Sequence, residues 1–298
     1  MLVFLGLLAC SEVPSDSLFW RESWEVLIST QDGGMIDGRA TVGNTGLLRG
    51  QGRLSLDRWS PNETPILYGI HGGPQDVDIS AAHDAVRVGS ALIGRYEKGD
   101  NWTIRASSDA ASAILHIDPG GPEPPMATGL VGDGQWTIEA PITQGPVHGW
   151  YTAGKRGGLV KGIAIALHRG GGGRATGPRR AAFVMSPTLS IGYDQQDEVS
   201  LRWARIEDRD FSVEDARLSH SSDGSARLDF RPAADLWIEL ESTGVDGTRN
   251  GLEHLLMPEQ WIASAVEHRA QRHIRRTTAV IHVEGRIVRS PGILLQVQ

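Results

Sequence analysis

Alternation of apolar and polar residues with a period of two is the feature that most constrains how this chain can fold. Trp24, Val26 and Ile28 alternate with polar neighbours, and the same spacing returns throughout the sequence. Successive side chains of a β-strand point to opposite faces, so this period predicts strands rather than helices. The later segments with this pattern are residues 111–117, 136–140, 159–167, 199–206, 226–230, 236–242 and 279–288.

Short breaks rich in glycine and aspartate separate the predicted strands. Asp32-Gly33-Gly34, Gly132-Asp133-Gly134 and Ser222-Asp223-Gly224 have the residue types that hairpin turns need. The chain contains 37 glycines, so little of it is left for helices. We therefore predict an all-β protein.

One helix is predicted near the C-terminus, over residues 258–276. Pro258 suits a first-turn position, Glu259 follows it, and arginines occupy the last turns. We interpret the basic run of Arg269, Arg272, Arg275 and Arg276 as the solvated face of this helix. The net charge of −7 argues against a nucleic-acid partner, since phosphate binding needs concentrated Lys and Arg.

Two breaks in the chain could mark a domain boundary. Residues 119–125 are rich in proline and stiff, whereas residues 169–178 are rich in glycine and flexible. The strands after Gln135 are needed to complete the first sheet, so we place the boundary at the second break. This predicts an N-terminal domain over 18–170 and a C-terminal domain over 178–298.

The N-terminus resembles a bacterial lipoprotein signal. An apolar segment ends in Leu7-Leu8-Ala9-Cys10, and a polar run over 11–17 follows. The resemblance implies cleavage before Cys10, a diacylglycerol on its thiol, and residues 1–17 as signal and tether. We therefore expect a periplasmic or outer-membrane protein that meets the membrane only through this lipid. Cys10 is the only cysteine, so no intramolecular disulfide can form.

The aromatic residues supply the candidate ligand-binding side chains. Nine tryptophans is a high number for this length, and most are expected to fill the core. The densest polar and aromatic grouping is His148, Trp150, Tyr151 and His168, where a few polar groups could orient an apolar ligand. We add Tyr193 and Trp203 as further candidates for lining such a pocket.

Several motifs that would indicate a cofactor or metal are incomplete. The glycine tract over 170–177 is followed by Pro178 and Arg179 instead of the Lys and Ser/Thr of a phosphate loop. His268 and His273 are five residues apart, whereas a zinc-binding helix needs a spacing of four. We predict no cofactor and no metal.

At the level of motifs the chain resembles the tandem lipocalin-like proteins, which include AttH, the carotenoid hydratases (CrtC), the tocopherol cyclase-like proteins and the yeast survival-factor proteins. The resemblance rests on the opening strand over 20–30, on Val147-His148-Gly149, on the strand over 160–168 that ends in His168, and on Val283-Glu284-Gly285. It implies two consecutive lipocalin-like barrels or half-barrels with an apolar pocket. Barrels of about eight strands hold one small ligand.

The family pattern places an acid directly before the histidine that ends the central strand, but here Leu167 precedes His168. Our leading hypothesis is therefore a protein that binds a hydrophobic small molecule, a lipid or an isoprenoid. The alternative is an isoprenoid hydratase, cyclase or isomerase in which Asp194 replaces the acid and partners His168. A third hypothesis is a carbohydrate-binding or hydrolytic β-sandwich using paired carboxylates such as Asp76 and Asp78.

Overall fold

The computed structural model describes residues 19–45, 48–95, 101–108, 111–120, 124–153, 156–173, 177–231, 234–250 and 271–297. In these ranges the chain forms β-strands and one 3₁₀ turn, Pro74–Asp76. The strands are β1 Arg21–Thr30, β2 Met35–Thr45, β3 Leu48–Trp59, β4 Ile66–Gly72, β5 Val77–Ile79, β6 Ala85–Val88, β7 Ala91–Arg95, β8 Trp102–Ser107, β9 Ala111–Ile117, β10 Met126–Val131, β11 Gly134–Ala153, β12 Arg156–Gly171, β13 Arg179–Ser186, β14 Leu189–Gln196, β15 Val199–Ile206, β16 Arg209–Asp210, β17 Arg217–His220, β18 Ala226–Asp229, β19 Leu236–Asn250, β20 Gln271–Val283 and β21 Arg286–Val297.

The strands form two antiparallel sheets. The first contains twelve strands in the order β4-β3-β2-β1-β12-β11-β9-β8-β7-β6-β5, with β10 added at β11, and it curls into a nearly closed barrel. The second contains nine strands in the order β16-β15-β14-β13-β21-β20-β19-β18-β17 and forms a half-barrel. The predicted all-β architecture of two lipocalin-like units is confirmed. The division into domains over 18–170 and 178–298 stays a prediction.

Buried apolar side chains form three clusters: one inside the first barrel, one inside the half-barrel and one between the two sheets. Trp24, Val26 and Ile28 of β1 belong to the cluster inside the first barrel. Leu27, on the opposite face of β1, belongs to the cluster between the sheets. The predicted alternation in β1 is therefore correct, but both of its faces are covered, and every residue from Glu22 to Thr30 is buried.

Three tryptophans pack their rings directly onto a glycine of another strand. Trp203 covers Gly192 and Trp136 covers Gly171, each on the neighbouring strand of the same sheet, and Trp59 of β3 covers Gly247 of β19 in the other sheet. A Cβ atom at Gly192 would lie 2.2 Å from the Trp203 ring, which leaves no room for a side chain there. The high numbers of tryptophans and glycines are therefore partly linked, because each of these rings fills the space that a glycine leaves by having no side chain.

Buried ion pairs join the two sheets. Arg179 of β13 bonds Asp194 in its own sheet at 2.6 and 2.9 Å, and its Nη2 lies 2.7 Å from Glu25 of β1. Arg272 of β20 donates to Asp37 of β2 at 2.8 Å and also to Glu25. Burial, followed by the nearby Asp57 carboxylate, raises the pKa of Asp37 to about 7. Charges this deeply buried must be paired, so these contacts fix how one sheet sits on the other.

The C-terminal helix prediction is wrong for its last six residues. Gln271–Val283 is a strand, and the remainder of the predicted helix, 258–270, lies outside the described residues. Arg272 is buried rather than solvated, because Asp37 and Glu25 neutralise it. No helix long and apolar enough to cross a bilayer occurs in the part of the chain that the structure describes.

The segment predicted as one last strand, 279–288, contains a turn. Strand β20 ends at Val283, and β21 begins at Arg286. Glu284 and Gly285 connect them with φ angles of 48° and 76°. Positive φ at both central residues is the signature of a tight hairpin, and apolar residues on both sides hide it in the sequence.

The interface ion pairs generate a stability prediction. Arg179→Met should lower the free energy of unfolding by about 3–5 kcal/mol, because it leaves Asp194 buried without its main partner and removes one of the two arginines beside Glu25. The matched control is Arg286→Met, since Arg286 and its partner Glu207 are both more than half exposed, and it should cost less than about 1 kcal/mol. Urea unfolding of both variants measures the difference. Equal losses would contradict this role for the buried pair.

Candidate active site at the mouth of the first barrel

His168 lies near the end of β12, between two strands that supply its neighbours. It pairs with Trp24 of β1 on one side and with Glu139 of β11 on the other. Ala166 and Ala164, two and four residues earlier on the same face, belong to the core inside the first barrel. The period of two therefore directs the His168 side chain toward the end of that barrel.

Both ring nitrogens of His168 are hydrogen-bonded to carboxylates. Nε2 lies 2.8 Å from Oε1 of Glu22, and Nδ1 lies 3.0 Å from Oε1 of Glu139. An ionised carboxylate only accepts hydrogen bonds and a neutral imidazole has only one N–H, so bonds to two carboxylates require the doubly protonated ring. The arrangement holds His168 as an imidazolium.

A second histidine shares the same carboxylate. His83, in the turn between β5 and β6, donates from Nδ1 to Oε1 of Glu22 at 2.8 Å. The backbone carbonyl of His83 accepts a hydrogen bond from Trp24 Nε1 at 3.0 Å, and the Trp24 ring stacks on His168 with centroids 5.1 Å apart. We name these five residues, Glu22, Trp24, His83, Glu139 and His168, the His168 cluster.

The electrostatics of the His168 cluster favour the charged ring. Burial alone would lower the pKa of His168, but its hydrogen bonds to Glu139 and Glu22 and the charges of these carboxylates outweigh burial and raise the pKa to about 9. Exposure increases outward from the buried Glu22: the side chain of His168 is 16% exposed, Glu139 36% and His83 44%. The cluster can thus exchange protons with solvent or a ligand at two ends.

The His168 cluster contains residue types that can bind metals, but they are not arranged around one ion. No group of three His, Cys, Asp or Glu side chains in the described ranges is arranged to hold a metal ion. In the His168 cluster, the three histidine nitrogens that face carboxylates are engaged in hydrogen bonds to them, whereas metal coordination needs a free nitrogen lone pair. Hydrogen bonding is the chemistry that these residues offer.

The structure does not bring Asp194 to His168. Asp194 is fully buried in the interface, where Arg179 binds both of its carboxylate oxygens. Burial opposes ionisation, but the Arg179 and Arg169 charges lower the pKa of Asp194 below its usual value. The partners of His168 are Glu22 and Glu139 instead. Sequence reasoning missed Glu22, although it lies two residues before Trp24 and therefore on the same face of β1.

The predicted ligand-binding residues of β11 point in opposite directions. His148 and Trp150 lie on the outer face of the first sheet, with His148 58% and Trp150 41% exposed. His148 lies 3.8 Å from Asp118 and near the ring of His116. Tyr151 is buried inside the first barrel, where burial raises its pKa and its hydroxyl donates to the Leu56 carbonyl at 3.4 Å.

The two remaining candidates lie in the second sheet. Tyr193 is buried inside the half-barrel and donates its hydroxyl to the side chain of Gln195. Trp203 lines a pocket of about 250 Å³ at the edge of this sheet. The seven predicted site residues are therefore distributed over several places, and only His168 belongs to the His168 cluster. Cys10, the predicted lipid site, lies outside the described residues.

Comparison with known proteins identifies solved structures with a similar architecture. No family model and no curated protein matches the sequence. Solved structures do match: CghA with Sch210972 has a TM-score of 0.61 at 10% identity, covering 94% of this chain and 88% of that one. Kievitone hydratase from Nectria haematococca has a TM-score of 0.55 at 12% identity, with coverages of 97% and 94%. An AttH protein from Nitrosomonas europaea has a TM-score of 0.54 at 12% identity, with coverages of 93% and 92%.

The chain has the fold of these proteins. The resemblance to AttH and to hydratases that the sequence motifs predict is therefore confirmed for the fold. At identities of 10–12%, the likeness carries no assignment of activity to individual residues.

The raised pKa of His168 gives a pH-dependent stability. Its value of about 9 in the folded state exceeds the ordinary 6.5, so the folded state binds this proton more tightly. The contribution, on the order of 3 kcal/mol, is complete below pH 6.5 and disappears as the pH rises through 9. Urea unfolding of the wild type between pH 6 and about 10 should show this loss, and His168→Gln should not.

The control for this measurement is His148→Gln, which changes an exposed histidine on a neighbouring strand. It should follow the wild-type curve. If His168→Gln and the wild type lose stability in parallel as the pH rises, His168 is not held as an imidazolium.

Proposed function

We propose that this protein binds a hydrophobic small molecule at the mouth of the first barrel and transfers protons to or from it, as a hydratase, cyclase or isomerase of isoprenoid-type substrates. The observation that carries the proposal is the pair of carboxylates on His168. The sequence lacks an acid directly before this histidine, but Glu22 and Glu139 supply one on each side. Acid and base groups are therefore present at one site.

The geometry suggests a role for each group. Glu139 is the more exposed carboxylate and is placed to take a proton from water or from a substrate carbon. His168 stores the proton and passes it from Nδ1 to Glu139, and Glu22, which also binds His83, can restore it from solvent. In a hydration, Glu139 transfers the proton received from His168 to one alkene carbon, the water oxygen adds to the other, and the proton lost by that water returns to the pair of Glu139 and His168.

The pKa of His168 restricts the substrate. A donor with a pKa of about 9 is a weak acid, so it can protonate only a double bond that a neighbouring polar group or a conjugated system has made reactive. The apolar core of the first barrel, which lies next to His168 through the stacked Trp24, favours a substrate with an apolar body. A substrate with an apolar chain and one activated double bond satisfies both conditions.

Binding without reaction is the second candidate function. Its support is that one protein with the same fold was crystallised with a small molecule, Sch210972, and that the first barrel has an apolar interior. The two candidates differ in one observable, because only the enzyme changes its ligand.

The test is incubation of the purified protein with a panel of isoprenoid alkenes in D₂O, followed by mass spectrometry. The enzyme proposal expects a product that has gained one water or deuterium on carbon. Glu139→Gln should lower the rate by about 10²–10⁴-fold, the usual contribution of acid–base catalysis. The control is Glu239→Gln, a half-exposed carboxylate 3.9 Å from His282 on the second sheet, which should retain the wild-type rate.

Ligands that co-purify and return unchanged would favour binding alone. A product formed equally well by Glu139→Gln and the wild type would remove the His168 cluster from the mechanism.

We further propose that the protein is exported to the periplasm or outer membrane and anchored there through a lipid on Cys10. The support is the Leu7-Leu8-Ala9-Cys10 sequence followed by a polar tether. Expression in a bacterium with a labelled fatty acid should give a labelled membrane-bound protein. Cys10→Ser should abolish both the label and the membrane association, and label retained by this variant would contradict the proposal.

A further inference from the structure

A pocket separate from the His168 cluster opens at the edge of the second sheet, where that sheet meets the first. Its wall includes Trp203, Phe211 and Val213 from the second sheet and its following loop, and Pro125 and Thr143 from the first-sheet half of the chain. At about 250 Å³ it is smaller than the roughly 300–1,000 Å³ of sites for drug-sized molecules. A ligand that fits must be small, such as a short acyl chain or a single ring.

The apolar wall of this pocket is held rigid. The indole of Trp203 lies on Gly192 and contacts Phe183, with ring centroids 5.9 Å apart. Its Nε1 donates to Ser190 Oγ at 2.9 Å, and that hydroxyl donates to the Thr143 carbonyl at 2.6 Å. Because both the ring and its polar edge are fixed, the wall needs no reorganisation to receive a ligand.

Two polar groups of the pocket have unused hydrogen-bonding capacity. Thr143 is 2% exposed, and its Oγ1 has no hydrogen-bond partner within the described ranges. Buried hydroxyls are normally satisfied, so this one indicates a missing partner.

The second group is Arg202, whose described hydrogen bonds go to neutral groups, the Ser200 hydroxyl and the Glu214 carbonyl. Among the ion pairs between described residues, none joins Arg202 to a carboxylate, and its guanidinium carbon lies 5.8 Å from the centroid of the Tyr193 ring. The other guanidinium of the wall, Arg205, is 3.4 Å from Asp208. Arg202 is thus the cation of this pocket that an anionic ligand could neutralise.

We propose that this pocket binds a small amphipathic carboxylate, with its apolar part against Trp203, Phe211 and Val213 and its carboxylate on Arg202. The Thr143 hydroxyl supplies a further hydrogen bond to a ligand oxygen. The site uses neither His168 nor either of its carboxylates, so it is independent of the proposed proton-transfer chemistry. Both sheets contribute to it, and an occupied pocket would therefore also hold the sheets together.

Calorimetric titration with octanoate, octanol and octylamine tests this proposal, since the three probes share a chain and differ in head-group charge. Octanoate should bind at least tenfold more tightly than octanol, and octylamine should not bind. Arg202→Gln should remove the advantage of octanoate over octanol while leaving octanol binding unchanged. Gly192→Ala should weaken both by displacing the Trp203 ring.

Two control variants complete the design. Gly158→Ala adds the same methyl group where no atom lies within 4 Å, and it should bind octanoate like the wild type. His168→Gln should also bind normally, which separates this pocket from the His168 cluster. The proposal is overturned if no probe binds, if the three probes bind equally, or if Arg202→Gln keeps the preference for octanoate.

Discussion

Burial of strand β1 on both faces is the constraint on which the rest of this structure depends. One face places Trp24, Val26 and Ile28 in the core of the first barrel. The other places Leu27 among the residues between the sheets and Glu25 between Arg179 and Arg272 of the second sheet. A strand in this position can have no solvent-facing side, so its polar residues must find partners within the protein.

The same constraint accounts for the candidate active site. Glu22 begins the inward-facing row of β1 and is almost completely buried, which makes an isolated carboxylate costly there. His83 and His168 both hydrogen-bond to the Glu22 carboxylate, and His168 also hydrogen-bonds to Glu139. The result is a chain of proton-exchanging groups whose ends are partly exposed and whose middle is buried. Apolar surroundings strengthen such hydrogen bonds, and the stacked Trp24 limits the orientations of His168.

Much of the fold could be predicted from the sequence because strands and turns have local signals. Segments 111–117 and 199–206 coincide with β9 and β15, residue for residue. The prediction was wrong where we assumed that charged residues are exposed. Arg272 was assigned to the solvated face of a helix, but it lies in a strand, buried against Asp37. Glu139 and Glu22 were not predicted as partners of His168, because they lie on other strands, 29 and 146 positions away in the chain. Such pairings depend on the register of the sheet, which alternation alone does not determine.

In this structure His168 is an imidazolium held between two carboxylates. This charge state can be tested without a substrate by recording the ¹⁵N chemical shifts of the histidine ring nitrogens at neutral pH, with His168→Gln used to assign the signals. We expect both nitrogens of His168 to carry protons and to resonate close together. One protonated and one bare nitrogen, with widely separated shifts, would mean a neutral ring and would contradict it.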